Sequence, residues 1–371
     1  MHSLWREEDA QALIAHYGAQ GIERDVALCL YLTRLLGGDA RLVLHGGGNS
    51  SVKTMARDIA GSDIEVLCVK ASGSDMARAE PGDLPALRLA QLRQLKDLSE
   101  LAEQDMAGVQ RACLLDGSVG DPSVETLLHA FLPHKFIAHC HANAVLSVTN
   151  QADGLTIAEA LFSDCAAVVP YTMSGLALAQ RAADAHAMQP DATGLVLMQH
   201  GLVSFAEDAR TAYENMVALV SRAEKIVASK RQPLQSASPF GGLKSADVAP
   251  ILRGACARLD QQNERENNPD RLVACFRSSA DILEYVNGAE VARYAGAGVA
   301  TPDHVIRTKN KPLILPAVQD ASALKQATQA ALEAYVADYH AYLARHAEAG
   351  QDVSMLADAR PRIALLPGCG L

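Results

Sequence analysis

The segment KFIAHCHANAV carries two histidines two residues apart, His139 and His141, and this spacing has chemical meaning. The apolar run before them predicts a strand, and in a strand residues i and i+2 point the same way, roughly 6.5–7 Å apart along the backbone. Two imidazoles so placed can converge on one metal ion, with bonds of about 2.0–2.1 Å for zinc. A third ligand is needed, and His200 in LVLMQHGLV is the candidate: it ends a second apolar run, and Gly201 behind it lets other groups approach closely. Three neutral imidazoles favour a transition metal, Zn2+ first and Mn, Co or Fe after it, over Mg or Ca. Three protein ligands leave a position open for substrate, the pattern of catalytic rather than structural sites. Glu125, in PSVE at the start of a predicted helix, is either a capping residue or a carboxylate beside that open position that serves as general acid or base. An HxH pair taken alone is also compatible with two core histidines bonded to the backbone. His45, His129 and His134 read that way.

Three small-residue turns form the second feature: GGGNSS (46–51), ASGS (71–74) and PSVE (122–125). Each presents backbone N–H groups with small hydroxyl or amide side chains, and concave sets of such donors hold phosphate oxygens. Singly, each is an ordinary turn. Together with the HxH pair they place a metal at one end of a small molecule and an anion cradle at the other.

These groups must be held by a framework, and the periodicity supplies one. Residues 7–37 predict a helix stopped by LGGDA, followed by a short strand at RLVL before the glycines. A strand at Ile64–Val69, a helical stretch after the prolines of PGDLP, a helix through Phe131 and the strand that carries the HxH pair follow in turn. Then come a strand at AAVV, a helix at SGLALAQRAADAHAMQ, two short strands around His200–Gly201 and a long amphipathic helix from DARTAY onward. RQPLQSASPFGGLKSADVAP has no periodicity and predicts a linker at about 233–249. Beyond it RLVACFRSS, HVIRT, KPLILPA and RIALLPG predict strands alternating with helices, among them an Ala-rich one over 321–347. Two domains are expected: a metal-binding catalytic domain over residues 1–232 and a smaller α/β domain over 250–371. In HVIRTK, Arg307 and Lys309 would share a strand face next to His304, either to meet an anion or a neighbouring subunit or as a solvated edge.

Composition bounds the function. The 371 residues are 49% hydrophobic and 20% charged, which excludes disorder and collagen. With 33 basic against 43 acidic residues the net charge is −10 and no basic cluster interrupts it, so nucleic acid is not an expected partner and an anionic substrate needs a local site. No run approaches the roughly 18 apolar residues of a membrane span, and the start of the chain has no signal-peptide run. Eight cysteines scattered without a CxxC pair read as reduced thiols, and a cytoplasmic protein is expected.

With HGGGNSSVK, VKASGSDM, PSVETLLHAF, HCHANAV and LMQHG in this order, residues 25–230 resemble the class II aldolase/adducin family. The aldolase portion of bifunctional rhamnulose-1-phosphate aldolase/alcohol dehydrogenase proteins is similar almost to the last residue, through ATPDHVIRTK and LLPGCGL. In those proteins a short-chain dehydrogenase domain follows, whereas this sequence ends at Leu371, and its GCG is too short for a nucleotide-binding fingerprint. The resemblance implies a three-layer α/β/α domain and a homo-oligomer. It places the family's metal ligands on His139, His141 and His200 and its acid/base glutamate on Glu125. The phosphate-binding groups fall on Asn49, Ser72, Gly73 and Ser123. A serine that precedes the glutamate in fuculose-phosphate aldolase is here Val124, and the family's C-terminal tyrosine has no assigned counterpart. The implied activity is metal-dependent, reversible cleavage of a ketose 1-phosphate into dihydroxyacetone phosphate and an aldehyde. Epimerases and dehydratases of the same fold, and a non-catalytic adducin-like binding protein, are the alternatives.

Overall fold

The computed structural model describes residues 1–237, 243–259, 272–347 and 358–371. They form two compact units, Met1–Arg231 with Ala300–Asp303, and Gln232–Val299 with His304–Leu371.

In the first unit the elements run α1 (Glu7–Gly18), α2 (Arg24–Gly37), β1 (Asn49–Arg57), β2 (Asp63–Val69), β3 (Ala86–Arg88), α3 (Leu89–Gln94), α4 (Glu103–Ala112), α5 (Thr126–Phe131), β4 (Phe136–Cys140), α6 (Asn143–Thr149), α7 (Gly154–Phe162), β5 (Ala166–Val169), α8 (Leu176–Met188), β6 (Gly194–Leu197), β7 (Gly201–Ala206) and α9 (Ala209–Lys230). Seven strands make one mixed sheet in the order β3-β2-β1-β4-β7-β6-β5, antiparallel throughout except for the parallel pair β5–β6. The period-2 alternation of the strands divides the core. Phe136, Ala138 and Cys140 face one apolar layer with Leu32, Val145, Met216 and Val220, whereas Ile137 faces the other with Leu127, Leu128, Ala179 and Phe205. This is the expected α/β/α arrangement with helices over both faces.

Three local expectations differ. The stretch 7–37 is two helices, because Gly18 ends the first and Gly21 turns in the left-handed region (φ +80°). RLVL is a turn, not a strand: the N–H groups of Leu42 and Val43 both donate to the Asp39 carbonyl. The strand starts instead at Asn49, so half of the GGGNSS turn lies in β1, whose Asn49, Ser50, Ser51 and Lys53 are buried because side chains and carbonyls on α2 and around α5 satisfy them. An edge strand, β3, also lies where only helix was expected.

The second unit contains α10 (Ser245–Arg258), α11 (Ala280–Val286), α12 (Val291–Gly296), most of α13 (Pro302–Thr308), β8 (Leu313–Ile314), α14 (Ala321–His346) and β9 (Ala364–Leu365). Among the described residues of this unit only KPLILPA and RIALLPG supply strands, which pair in parallel as β8 and β9. HVIRT is helical: Pro302 occupies a first helical position with Asp303 in the first turn, and this start outweighs the β preference of Val305 and Ile306. Arg307 therefore lies on α13, and Lys309 follows it in the left-handed region (φ +69°) with its ammonium on the Tyr339 hydroxyl, so the shared strand face does not exist. Residues 272–279 of RLVACFRSS form no regular element; Arg271, and residues 238–242 of the expected linker, lie outside the described residues. No described helix is long and apolar enough to cross a membrane.

Candidate metal centre

β1 and β4 pair so that Asn49 lies opposite His139, and β4 and β7 so that His139 lies opposite Val203. His141 follows β4 directly. His200 sits in the short turn between β6 and β7, after Gln199, a non-glycine residue in the left-handed region (φ +53°) whose side-chain amide is anchored on the Thr149 carbonyl at 2.8 Å. Such a conformation costs free energy and persists where surrounding contacts impose it. Together these elements place one ring nitrogen of each of His139, His141 and His200 within 4.8 Å of one another.

The hydrogen bonds decide which nitrogens face inward. His139 Nδ1 lies 3.1 Å from the Leu202 carbonyl, and His141 Nδ1 lies 2.9 Å from Asp303 Oδ2. A carbonyl and a carboxylate only accept, so both Nδ1 atoms carry the proton and both Nε2 atoms present lone pairs. Those two lone pairs face each other at 3.0 Å. Two acceptors so close repel unless a cation lies beside both. Bonds of about 2.0–2.1 Å to one ion, meeting at roughly 90–110°, put their nitrogens about 2.9–3.4 Å apart, so the donor set fits a divalent transition metal. Burial pushes the His139 ring down to about 3 against the pull of the Glu125 carboxylate, and the neutral ring is the form that binds a metal.

Glu125 borders the same space. Its Oε2 accepts from Asn49 Nδ2 at 2.7 Å and lies 3.3 Å from His139 Nε2. Its Oε1 lies 2.9 Å from His200 Nε2 but, although buried, has no aligned hydrogen-bond donor. Burial opposes the carboxylate charge, yet the surrounding rings of His139, His200 and His141 outweigh it and hold the carboxyl well below its ordinary value. The glutamate occupies the N-cap position of α5 without capping it, so its side chain is committed to the site and not to the helix.

The other expected residues lie close by. Asn49 Nδ2 also donates to Ser123 Oγ at 3.0 Å, and Ser123 Oγ accepts from the Glu125 N–H at 3.2 Å. The ASGS and PSVE turns meet through the Ala71–Pro122 bridge and the Ser72 N–H to Asp121 carbonyl bond of 2.8 Å, which brings Ser72 and Gly73 beside Ser123. Val124 is exposed.

Three participants were not anticipated. His129 donates from Nε2 to the side-chain amide oxygen Oδ1 of Asn49, accepts at Nδ1 from Ser51 Oγ at 2.7 Å, and is pushed down to about 3 by burial, so it braces the amide that holds Glu125. Its place four residues after Glu125, one helical turn along, was the available signal. Lys70 is buried, with Nζ 3.2 Å from the Gly46 carbonyl; burial pushes it down to about 8 against the pull of Asp303, Asp83, Glu125 and Asp75. Its signal is a lysine that ends an apolar strand just before the ASGS turn. Asp303 had none, since it lies 162 residues from His141.

Gly201 accounts for the close approach of the rings. A Cβ there would lie 2.3 Å from the Cys140 carbonyl and 3.1 Å from both His139 Cε1 and His141 Cδ2. Gly201→Ala is expected to lower stability by about 1–3 kcal/mol, the usual cost of overpacking. It is also expected to weaken metal binding, both readable as a lower melting temperature and a smaller metal-induced rise in it.

Comparison with known proteins agrees with this frame. Residues 27–227 match the family model "Class II Aldolase and Adducin N-terminal domain", and residues 243–371 match "Aldolase class II, second domain". The chain belongs to the class II aldolase/adducin family. Class II aldolases generally depend on a divalent metal. Among individual relatives, the chain is 30% identical over 383 residues to the uncharacterized oxidoreductase YuxG of Bacillus subtilis (strain 168), covering 99% of this chain but 52% of that protein. It thus spans about half the length of that curated relative. The solved N-terminal class II aldolase domain of a conserved protein from Thermoplasma acidophilum is similar at 35% identity and a TM-score of 0.54, covering 61% of this chain and 99% of that one.

Proposed function

We propose that this class II aldolase/adducin protein is a metal-dependent aldolase that reversibly cleaves a ketose 1-phosphate, of the rhamnulose-1-phosphate type, into dihydroxyacetone phosphate and an aldehyde. The observation that carries the reading is the pair of inward lone pairs on His139 and His141, 3.0 Å apart, with the Glu125 carboxylate 3.3 Å from one of them. His139, His141 and His200 would hold the ion, Zn2+ by ligand type. When bound, a divalent cation there supplies a Lewis acid for the negative charge that develops on the ketose oxygens as the carbon–carbon bond breaks.

The protein's own part is proton transfer and orientation. Cleavage leaves an enediolate and an aldehyde. Glu125, a carboxylate at rest, would take the proton of the hydroxyl that becomes the aldehyde and deliver it to the enediolate carbon, giving dihydroxyacetone phosphate; in synthesis it would take the proton from that carbon and return it to the aldehyde oxygen. The bond from Asn49 fixes Oε2, leaving Oε1 to face the reacting carbon. The Ser72–Gly73 turn, with Ser123 and Asn49, would receive the phosphate and so hold the reacting carbons in line. The buried ammonium of Lys70, one residue before the ASGS turn, supports a negative charge at that end.

Incubation with a panel of ketose 1-phosphates tests the reading. Dihydroxyacetone phosphate should be released, the release should stop on chelation, and Zn2+ should restore it. Conversion of a sugar phosphate to an isomer or a dehydrated product, without that release, would instead mark an epimerase or dehydratase. The phosphate site is tested separately by Ser72→Ala, which should raise KM for the phosphate ester roughly ten- to a hundredfold, the value of one charge-assisted hydrogen bond, and hardly affect a free sugar, whereas Asn49→Ala should impair both substrates because it also releases Glu125 Oε2.

A further inference from the structure

We infer that Asp303 is the positioning residue of His141, so that the proposed metal centre is completed by a carboxylate from residues 300–303, downstream of the α9 end of the main domain. This inference rests on the metal reading above and adds to it the group that sets one ligand's orientation.

The argument starts from a burial that needs a reason. Asp303 is only 5% exposed, and a buried carboxylate persists where it is paired. Its side-chain partner is His141 Nδ1 at 2.9 Å, and the Leu44 backbone N–H also donates to it. Because a carboxylate only accepts, this bond fixes the tautomer and ring orientation of His141 and turns its Nε2 lone pair toward His139. The corresponding bond of His139 goes to a backbone carbonyl, which carries no net charge. His141 is thus the ligand whose electron density is raised by an anion behind it.

A second, independent feature shows that the backbone is shaped around this carboxylate. At Gly47 a Cβ would lie 2.1 Å from Asp303 Oδ1 and 2.4 Å from Oδ2, so any larger residue would displace the carboxylate. The glycine run that the sequence offered as part of an anion cradle therefore has one glycine whose missing side chain makes room for the protein's own Asp303. Segment Ala300–Asp303 packs with the first unit although the chain before and after it, from Gln232 to Val299 and from His304 onward, packs in the second. One carboxylate from a distant stretch of sequence is thereby delivered behind a ligand that the HxH strand presents.

The test uses the full chain, freed of metal by chelation and titrated with Zn2+ against a chromophoric chelator and with Co2+ followed by its visible absorption. Asp303→Ala should weaken Zn2+ binding by about 10- to 100-fold, the usual cost of removing such a partner, and change the Co2+ spectrum. Asp303→Asn keeps an acceptor of the same shape without the charge and should recover part of the affinity; it also serves if the alanine variant does not fold. Gly47→Ala should reproduce the affinity loss with Asp303 present. A role in packing alone would lower the melting temperature of the metal-free protein and leave Zn2+ affinity and the Co2+ spectrum unchanged, and that result would overturn the inference. If wild-type protein binds one equivalent and both Asp303 variants bind within twofold of it, the metal reading stands and the role of Asp303 falls. If wild-type protein binds neither ion, both fall together.

Discussion

His139→Ala is expected to abolish stoichiometric metal binding while leaving the protein folded. The two halves of this result have different causes. His139 is the most deeply buried of the three rings, with a side chain 1% exposed, and its Nε2 is adjacent both to His141 Nε2 and to Glu125. Removing it takes one of three imidazole donors and leaves His141 and His200, too few to hold a transition metal against chelation. The fold loses less. The alanine leaves the Leu202 carbonyl without its side-chain donor, a cost of about 1–3 kcal/mol, but it also removes the facing lone pairs that repel in metal-free protein. Stability measured with and without metal separates these terms. Zn2+ at about a hundred times its dissociation constant should stabilise wild-type protein by roughly 2.7 kcal/mol and His139→Ala by nothing measurable. A full equivalent of zinc by elemental analysis of the variant would sink the assignment.

How much of this was legible in the sequence follows physical range. The HxH strand was readable because both histidines and the strand that carries them occupy one continuous apolar run, and strand alternation fixes where their side chains go. His200 was readable for the same reason, aided by Gly201, whose absent side chain proves to lie against Cys140 and both rings. The RLVL turn was misread because Leu42 and Val43 are buried, as strand residues would be, while their N–H groups close on Asp39 within the same turn. Burial does not specify hydrogen bonding. HVIRT looks like a strand by its β-branched Val305 and Ile306, but the helix start at Pro302 and Asp303 lies just before it and decides the conformation. Asp303 could not be found at all, since no local pattern relates it to His141, and only the fold brings the two within 2.9 Å. The polar beginning of β1 belongs to the same class. Asn49, Ser50, Ser51 and Lys53 look like loop residues until α2 and the chain around α5 supply their partners, and the burial of Lys53, pushed down to about 7, rests on the His129 and His134 carbonyls.

The Glu125→Gln variant should keep the metal and the fold and lose proton exchange on bound dihydroxyacetone phosphate by about 10²- to 10⁴-fold, the range that a general acid or base contributes. The substitution is close to isosteric. Its amide oxygen can accept the bond from Asn49 that Oε2 accepts now, at 2.7 Å, so the side chain keeps its direction. Helix α5 should be unaffected, because Glu125 makes no side-chain capping bond there. Metal binding should persist, because the three rings and not the carboxylate are the proposed ligand set. What disappears is basicity, since an amide cannot remove a proton from carbon. Following deuterium uptake from D2O into dihydroxyacetone phosphate by NMR isolates this step from aldehyde binding and from carbon–carbon cleavage. Glu125→Asp, which keeps the carboxylate but draws it back by one methylene, should retain more exchange than the glutamine variant. Exchange at the wild-type rate in metal-loaded Glu125→Gln would show that the proton is removed elsewhere and would return Glu125 to a role in orienting Asn49 and Ser123.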